Sequence, residues 1–369
     1  MNEELYCQEC GVRLAGESVH IFEETVMCDH CFHRLTTVCD CCSERIWRSD
    51  AEGDSDTTLC TYCYENRYVT CGNCGGLVHL DDVHYVDCSD YPYCEDCYEN
   101  LQNRTIKEYH YKPEPIFYGS GNLFIGVELE IDDGGEVESY AEEIMNVGNA
   151  KNAHIYCKHD GSLDNGVELV SQPMTMEYHM QEMNWQGVLR KAVSLGYSSH
   201  NTSTCGLHVH CSRAAFGKDY EEQEPVIGRI IYFVEKNWCE LVKFSRRTSR
   251  SLNRWAARYA TISETAKETY EKAKSKCTGR YVAVNLENYS TIEFRMFRGT
   301  LRYQTFMATL QLVHEICTLA IKTTDYEMEQ LSWSEFVSGI DQKEKPELIA
   351  YLKSKRLYVN ENETETEEV

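Results

Sequence analysis

The sequence has 369 residues, of which 36 are lysine or arginine and 60 are aspartate or glutamate, so its formal net charge is −24. Apolar residues make up 42% and aromatic residues 11%, which argues against a disordered chain and suffices for at least one core. The length indicates two or three domains. A chain this acidic repels nucleic-acid phosphates, which argues against a duplex binder driven by charge neutralisation.

No apolar run in the sequence approaches the roughly 20 residues that a helix needs to span a bilayer. The N-terminus, MNEELYC, has neither the basic start nor the apolar stretch of a secretory signal. We therefore expect a soluble, cytoplasmic protein with no membrane partner.

The cysteines show an internal repeat. Fourteen of the 20 cysteines lie in the first 97 residues. Twelve of them form six C-x-x-C pairs: Cys7/Cys10, Cys28/Cys31, Cys39/Cys42, Cys60/Cys63, Cys71/Cys74 and Cys94/Cys97. Because Cys7, Cys39 and Cys71 follow one another at intervals of 32 residues, the sequence predicts three copies of one unit with two pairs each.

Zinc explains this spacing, since two thiolates three residues apart can reach one tetrahedral ion and a second pair closes the site. We predict three structural Zn²⁺ ions in small β-hairpin modules of treble-clef or LIM-like type. Sequential and cross-braced pairing both remain open, as does His84 or Cys88 as a substitute ligand in the third copy. Disulfides and redox chemistry are disfavoured in a cytoplasmic chain with a fixed repeat. Residues 1–112 contain 22 acidic and 8 basic residues, so we expect a protein or peptide partner there.

A proline-containing link at residues 109–121 indicates a domain boundary. We predict a cysteine-rich region at 1–112, a catalytic domain at 113–345, and a helix end with an acidic, disordered tail at 346–369. Alternating strand and helix patterns predict an α+β domain. The predicted strands are 123–131, 166–172, 206–212, 281–287 and 291–297. The predicted helices are 138–147, 177–195, 225–243, 263–276 and 303–322, the last with an apolar, core-facing stripe.

Four of the predicted strands carry ionisable residues where an apolar strand is expected. Residues two apart on a strand share a face, so Glu128 and Glu130 project together, as do His208 and His210. The other members of the set are Glu168, Glu293, Arg295 and Arg298. Each of these strands, taken alone, is consistent with a strand whose polar face is in water. A solvent-exposed face would usually include lysine, however, and these positions contain none.

Clustered carboxylates repel one another unless a cation holds them, which predicts a divalent metal site. Oxygen ligands with one imidazole suit Mg²⁺ or Mn²⁺ better than zinc, and arginines at the edge suit a phosphate. Together these groups indicate phosphoryl transfer without a P-loop.

The motifs GVELE, DGSL, GVELVSQP, GLHVHCS, RYVAVNLEN and TIEFRMFRGTL, in this order, closely resemble those of the amidoligase family. These phage and bacterial carboxylate–amine ligases belong to the glutamine synthetase-like superfamily. The resemblance runs from about Leu123 to Leu301 and does not cover the cysteine-rich region.

The resemblance implies an ATP-dependent ligase with an antiparallel sheet curved around a nucleotide and two or more Mg²⁺ ions. By this likeness the metal ligands are Glu128, Glu130, Glu168, His208 and Glu293. Arg295 matches the arginine that stabilises the transferring phosphoryl group, and Arg298 matches an anion contact. Asp160 would orient substrate or a metal-bound water, and His210 is a neighbour of the metal site.

The implied reaction joins a carboxylate to an amine, either of them free or part of a peptide or protein, through an acyl phosphate. The stretch 243–259 adds five arginines to an acidic protein, and among them Arg246 and Arg247 are candidates for binding the polyphosphate or an acidic substrate. Two alternatives remain open: a phosphotransferase of the same fold, and an inactive ligase domain in a zinc-array adaptor.

Overall fold

The computed structural model describes residues 5–14, 19–85, 90–200, 205–259, 265–275 and 279–358. The chain divides into two compact units, Met1–Asn103 and Arg104–Val369. The division falls nine residues before the boundary expected after residue 112. The predicted acidic tail lies outside the described residues from 359 onward.

The first unit consists of short antiparallel strand pairs and short helices. Its strands are β1 (Val19–Phe22), β2 (Thr25–Cys28), β3 (Thr36–Val38), β4 (Arg45–Trp47), β5 (Glu52–Gly53), β6 (Thr58–Leu59), β7 (Tyr68–Thr70), β8 (Leu77–His79), β9 (His84–Tyr85) and β10 (Pro92–Tyr93). Its helices are α1 (Asp29–Leu35), α2 (Thr61–Arg67) and α3 (Glu95–Asn103). Consecutive strands pair as β1/β2, β3/β4, β5/β6, β7/β8 and β9/β10.

The 32-residue repeat recurs in the backbone hydrogen bonds. The amide of the residue after each first C-x-x-C pair donates to the carbonyl of that pair's first cysteine: Gly11 to Cys7 at 2.8 Å, Ser43 to Cys39 at 2.9 Å and Gly75 to Cys71 at 3.0 Å. All three donors have a left-handed φ of 62° to 75°, which glycine adopts without strain and Ser43 adopts at a cost. The modules therefore share one tight turn.

The second unit contains a seven-stranded sheet and eleven α-helices among its described residues. Its strands are β11 (Ile106–Lys107), β12 (Ile125–Ile131), β13 (Ile155–Lys158), β14 (Val167–Ser171), β15 (Gly206–Ser212), β16 (Val284–Asn285) and β17 (Thr291–Arg298), in the spatial order β11-β13-β14-β12-β15-β17-β16. All neighbours are antiparallel except β11 and β13, so the sheet is mixed at one edge. The predicted α+β class is confirmed, and the expected purely antiparallel sheet is corrected at this pair.

Two strands were missed by the sequence analysis, and one was predicted too long. β11 and β13 are too short for a clear alternation, and β11 precedes the predicted boundary although it pairs with β13. Of the predicted strand 281–287, only β16 is a strand, because only Val284 and Asn285 pair with β17.

The helices of the second unit are α4 (Glu138–Gly148), α5 (Met176–Gln181), α6 (Trp185–Ser194), α7 (Tyr220–Lys236), α8 (Trp238–Ser245), α9 (Ser249–Trp255), α10 (Ala266–Ser275), α11 (Tyr303–Lys322), α12 (Asp325–Gln330), α13 (Trp333–Ser338) and α14 (Pro346–Ser354). Two predicted helices are each divided in the structure by an asparagine. Asn184 accepts a hydrogen bond from the Gly187 amide and begins α6, while Asn237 ends α7. Residues 263, 264 and 276 of another predicted helix lie outside the described residues.

One face of the sheet belongs to the apolar core. Ile125, Val127, Leu129 and Ile131 of β12 are fully buried, and the predicted core-facing stripe of α11 is confirmed by its buried residues Phe306, Leu310, Val313, Cys317 and Ala320. The alternate residues of the strands consequently project from the opposite face. Across the described part of the chain, we find no helix with the length and hydropathy of a membrane span.

Candidate functional site

Strand register brings the ionisable residues of the sheet together in three adjacent rows on one face. In the first row Lys158, Glu168 and Glu130 lie directly opposite one another on β13, β14 and β12. In the second row Glu128 faces His208 on β15. In the third row His210, Glu293 and Asn285 face one another on β15, β17 and β16. Directly opposed residues of antiparallel strands point to the same side, so these side chains form one polar surface.

The centre of this surface is a group of two carboxylates and two imidazoles. His208 Nδ1 lies 3.6 Å from Glu128 Oε2 and 3.5 Å from Glu293 Oε1. His210 Nε2 lies 3.4 Å from Glu128 Oε1 and 3.9 Å from Glu293 Oε1. These separations exceed a normal hydrogen bond, and both nitrogens are buried without a hydrogen-bond partner among the described residues.

Such distances fit ligands arranged around a common ion. Ligand atoms about 2.1 Å from one octahedral cation are about 3.0 Å apart when adjacent and about 4.2 Å apart when opposite. Glu128, His210 and Glu293 each offer one donor atom, and these three atoms lie within 4.8 Å of one another. The donor set of carboxylate oxygens and imidazole therefore fits a divalent cation such as Mg²⁺ or Mn²⁺.

The carboxylates of this group depend on nearby positive charge. Burial raises the pKa of Glu128, but His210 and His208 lower it more, so it lies well below the usual range. Glu293 behaves in the same way, with Arg295 also lowering its pKa. Burial lowers the pKa of His210, but the adjacent Glu128 raises it more, to about 9. Buried carboxylates are stable in their charged form only beside a positive charge. In this group that charge comes either from protonated histidines or from a bound metal ion.

Glu130 and Arg247 both approach Gly206, the first residue of β15, beside the carboxylate and imidazole group. Glu130 accepts a hydrogen bond from the Gly206 amide, and its Oε1 lies 4.0 Å from His208 Nε2. Burial raises the pKa of Glu130, as does Asp160. A Cβ on Gly206 would lie 2.5 Å from an Arg247 guanidinium nitrogen, so the glycine leaves room for this arginine. Arg247 also donates from Nε to the Phe297 carbonyl at 3.1 Å and is 8% exposed.

A lysine also lies on this face, on a strand that was not among the predicted ones. Lys158 Nζ is 2.9 Å from Glu168 Oε2, and their side chains are 14% and 3% exposed. Burial and the nearby Glu128 raise the pKa of Glu168. Lys158 lowers this pKa, but by less, so the pKa stays well above its usual range. The sequence analysis missed Lys158 because it stands on β13, a four-residue strand that was not predicted. Its signal was the alternation of buried Ile155 and Cys157 with outward-facing neighbours.

These side chains line one cavity of about 700 Å³ in the second unit. Nine of the predicted site residues line it: Glu128, Glu130, Asp160, Glu168, His208, His210, Arg247, Glu293 and Arg295. Arg246 and Arg298 are not among its lining residues. Arg246 has a left-handed φ of 62° at the end of α8 and donates to the Arg298 carbonyl at 2.9 Å. This turn directs Arg247 toward the cavity and Arg246 elsewhere.

Arg295 stands two residues after Glu293 on β17 and is hydrogen bonded to it. Its Nε is buried and has no hydrogen-bond partner among the described residues. A guanidinium with free donors beside a carboxylate group can bind a phosphate, which accepts several hydrogen bonds at once.

Asparagines of the β16–β17 segment complete the site and were missed by the sequence analysis. Asn285 and Asn288 donate to Glu293 Oε2 at 2.9 Å and 3.4 Å. The segment is held by the buried Arg213, which donates to the carbonyls of Asn288 and Thr291 at 3.1 Å each and to Leu286 at 2.7 Å. No periodicity distinguishes these residues in the sequence, since their roles depend on a turn.

The first unit holds the twelve paired cysteines in three groups of four. The groups are Cys7/Cys10/Cys28/Cys31, Cys39/Cys42/Cys60/Cys63 and Cys71/Cys74/Cys94/Cys97, each with its sulfurs within 4.8 Å. The pairing is therefore sequential and not cross-braced. In the third module His84 pairs with Glu95 at 2.6 Å, while Cys88 lies outside the described residues.

The geometry of these groups fits a tetrahedral metal site. One sulfur of each first pair lies close to one of the second pair: Cys10 and Cys28 are 3.7 Å apart, and Cys42 and Cys60, like Cys74 and Cys94, are 3.9 Å apart. Four sulfurs about 2.3 Å from one Zn²⁺ are about 3.8 Å apart. Burial raises the pKa of Cys7, Cys39 and Cys71, but backbone N–H groups directed at each sulfur lower it more, to about 6. The first cysteine of each module is thus prepared to act as a thiolate.

Residues 146–317 match a family model described as "Putative amidoligase enzyme". The match covers under half of the chain and begins after β12, so Glu128 and Glu130 lie outside it. No curated protein matches the sequence.

Among solved structures, a bifunctional glutathione synthetase from Pasteurella multocida is similar at 14% identity and a TM-score of 0.38. The similarity covers 63% of this chain and 46% of that chain, so the chain spans under half of that protein's length. At this TM-score the similarity does not establish a shared fold. Residues 146–317 are thus similar to the amidoligase family, and the resemblance seen in the strand motifs of that range is confirmed.

Proposed function

We propose that the second unit is an ATP-dependent ligase that joins a carboxylate to an amine. The observation that carries this proposal is the convergence of Glu128, His210 and Glu293, with His208 Nδ1 within 3.6 Å of both carboxylates and Arg295 in the same cavity. A metal-holding group next to a guanidinium with an unused N–H donor is what phosphoryl transfer from ATP requires. The amidoligase match indicates ligation as the outcome of that transfer.

The residues present fit Mg²⁺. Glu128, Glu293 and His210 would hold one ion, with His208 Nδ1 close enough to join them. Glu130 and the Lys158-paired Glu168 are the other carboxylates of the cavity and would hold a second ion. When bound, Mg²⁺ neutralises phosphate charge and so makes the γ-phosphoryl group easier to transfer. The seven-stranded sheet with carboxylates along one face supports the glutamine synthetase-like fold that the resemblance implies.

The chemistry proceeds in two steps, because a free carboxylate is a poor electrophile. A substrate carboxylate oxygen attacks the γ-phosphorus of ATP, the bond to the β-phosphate oxygen breaks, and an acyl phosphate and ADP result. The amine then attacks the acyl carbon, phosphate leaves, and the amine loses a proton. Arg295 and Arg247 stabilise negative charge on the phosphoryl oxygens, since both guanidinium groups line the cavity.

For the first unit we propose one Zn²⁺ in each of the three cysteine groups. Four thiolates leave no open coordination position, so these ions would stabilise the modules without taking part in chemistry. The acidic, tyrosine-bearing surface of this unit supports recruitment of a protein or peptide partner, with exposed Tyr62, Tyr85 and Tyr91 as contacts.

The test is Mg·ATP consumption by the full-length protein, with ADP and AMP measured separately and carboxylates and amines added alone and together. ADP release that needs both, together with an amide product, is the expected result. AMP as the product would contradict an acyl phosphate mechanism. A stable phosphorylated product would indicate a phosphotransferase, and absence of ATP binding would favour the adaptor function.

A further inference from the structure

The mouth of the cavity contains a second group of polar residues, separate from the carboxylate and imidazole group. Arg280 donates from one terminal nitrogen to the Tyr109 hydroxyl at 3.1 Å and from the other to the Tyr281 hydroxyl at 3.2 Å. All three residues line the cavity. We refer to Tyr109, Arg280 and Tyr281 as the tyrosine–arginine site.

This site is rich in positive charge. Among the described residues no carboxylate forms an ion pair with Arg280. The Arg280 and Arg295 guanidinium carbons lie 5.2 Å and 5.9 Å from the centre of the Tyr281 ring, and Lys158 Nζ lies 5.7 Å from that of Tyr109. Lys158 and Arg295 are balanced by Glu168 and Glu293, so Arg280 supplies the excess charge.

The hydrogen bonds of the site leave mainly donors available. Each tyrosine oxygen accepts from Arg280, and within the described part of the chain its own O–H has no acceptor and can donate to a ligand. Arg280 has five N–H donors and no acceptor, and two of these donors are used by the tyrosines. Because Arg280 is exposed and Tyr109 and Tyr281 are 36% and 39% exposed, a ligand can reach all of them. Donors around an unpaired cation are satisfied best by an oxyanion.

We infer that the tyrosine–arginine site binds a second oxyanion of the reactants, in addition to the carboxylate that is activated. This inference rests on the proposed ligase function, because it assigns another part of a reactant to the same cavity. The oxyanion is either a second carboxylate of the acid substrate, which would make that substrate a dicarboxylate or an acidic peptide, or a phosphate of the nucleotide.

The test measures equilibrium binding to the full-length protein with Mg²⁺ present, by titration calorimetry. The probes are Mg·ATP and glutarate, with the monocarboxylate butyrate for comparison. Arg280→Gln should weaken one of the first two probes roughly ten-fold or more, since it removes a charge-assisted contact. The double variant Tyr109→Phe/Tyr281→Phe should weaken the same probe. Arg302→Gln is the matched control, because Arg302 is exposed, donates to Gln304 at 3.1 Å and does not line the cavity.

The two probes distinguish the two possible oxyanions. Loss of glutarate binding with butyrate unchanged assigns the site to a second carboxylate, and loss of Mg·ATP binding assigns it to a nucleotide phosphate. If neither probe binds with an affinity that depends on Arg280, the inference is overturned. Because no turnover is needed, this result is independent of whether the protein joins any carboxylate to an amine.

Discussion

Glu128 and His208 face each other directly across β12 and β15, yet His208 Nδ1 is 3.6 Å from the nearer Glu128 oxygen and forms no hydrogen bond with it. A buried imidazole nitrogen is rarely left in this state. Its position between Glu128 and Glu293 is explained if the three groups share a cation. The relationship leads to predictions about the metal group and about the parts of the protein that support it.

Glu293→Gln should reduce ATP turnover roughly 100-fold or more, because the variant keeps the shape of the side chain and removes a charge that the metal requires. The measurement is Mg²⁺ affinity together with ADP release. Glu182→Gln is the control, since Glu182 is exposed and pairs with Lys151 on the surface. Unchanged Mg²⁺ affinity in Glu293→Gln would show that Glu293 is not a ligand.

Cys39→Ser should remove about one metal ion per chain and destabilise the first unit while leaving the second unit folded, because metal binding energy in such modules is folding energy. Metal content per chain and the unfolding of each unit are the measurements. Cys41→Ser is the matched control, since Cys41 stands in the same turn but belongs to none of the three groups. A variant with wild-type metal content would contradict the assignment of Cys39 as a metal ligand.

Lys158→Met should destabilise the second unit by about 3 kcal/mol in the presence of a chelator, because it leaves the buried Glu168 carboxylate without its partner. Adding Glu168→Gln should restore part of the loss. Lys151→Met is the control, because its ion pair with Glu182 at 3.1 Å is exposed and worth about 1 kcal/mol or less. Urea unfolding with and without Mg²⁺ measures both effects. If Glu168 is a metal ligand, Mg²⁺ should reduce the deficit of the Lys158 variant.

His179 should make the second unit less stable at acidic pH. Its Nε2 lies 3.0 Å from the Ile125 carbonyl oxygen and its Nδ1 accepts from Trp185, an arrangement that only neutral imidazole satisfies. Burial lowers its pKa from 6.5 to about 4. The unfolded chain therefore binds more protons between these values, so stability is complete above pH 6.5 and falls as the pH drops toward 4. The loss amounts to about 3 kcal/mol.

The measurement for His179 is the free energy of urea unfolding at pH 7 and pH 5. His179→Gln should show a smaller decrease between these values than the wild type, because glutamine gains no proton. His110→Gln, at an exposed position, should behave like the wild type. Equal decreases in the wild type and in His179→Gln would contradict the prediction.

Local patterns of the sequence predicted much of this protein. The fixed 32-residue interval identified all three cysteine groups, because metal ligands come in pairs whose spacing a tight turn dictates. Alternation with a period of two placed Glu128 with Glu130 and His208 with His210 on shared faces of their strands. These predictions depended only on residues close together in the chain.

Contacts between distant segments were decided by the tertiary structure. Only strand order and register bring Lys158 to Glu168 and Asn285 to Glu293, and only the left-handed turn at Arg246 separates its direction from that of Arg247. The Tyr109 and Arg280 contact joins residues 171 positions apart. A sequence pattern reports which face of an element a side chain occupies, but which side chain lies opposite depends on packing of the whole sheet, and no local period encodes that.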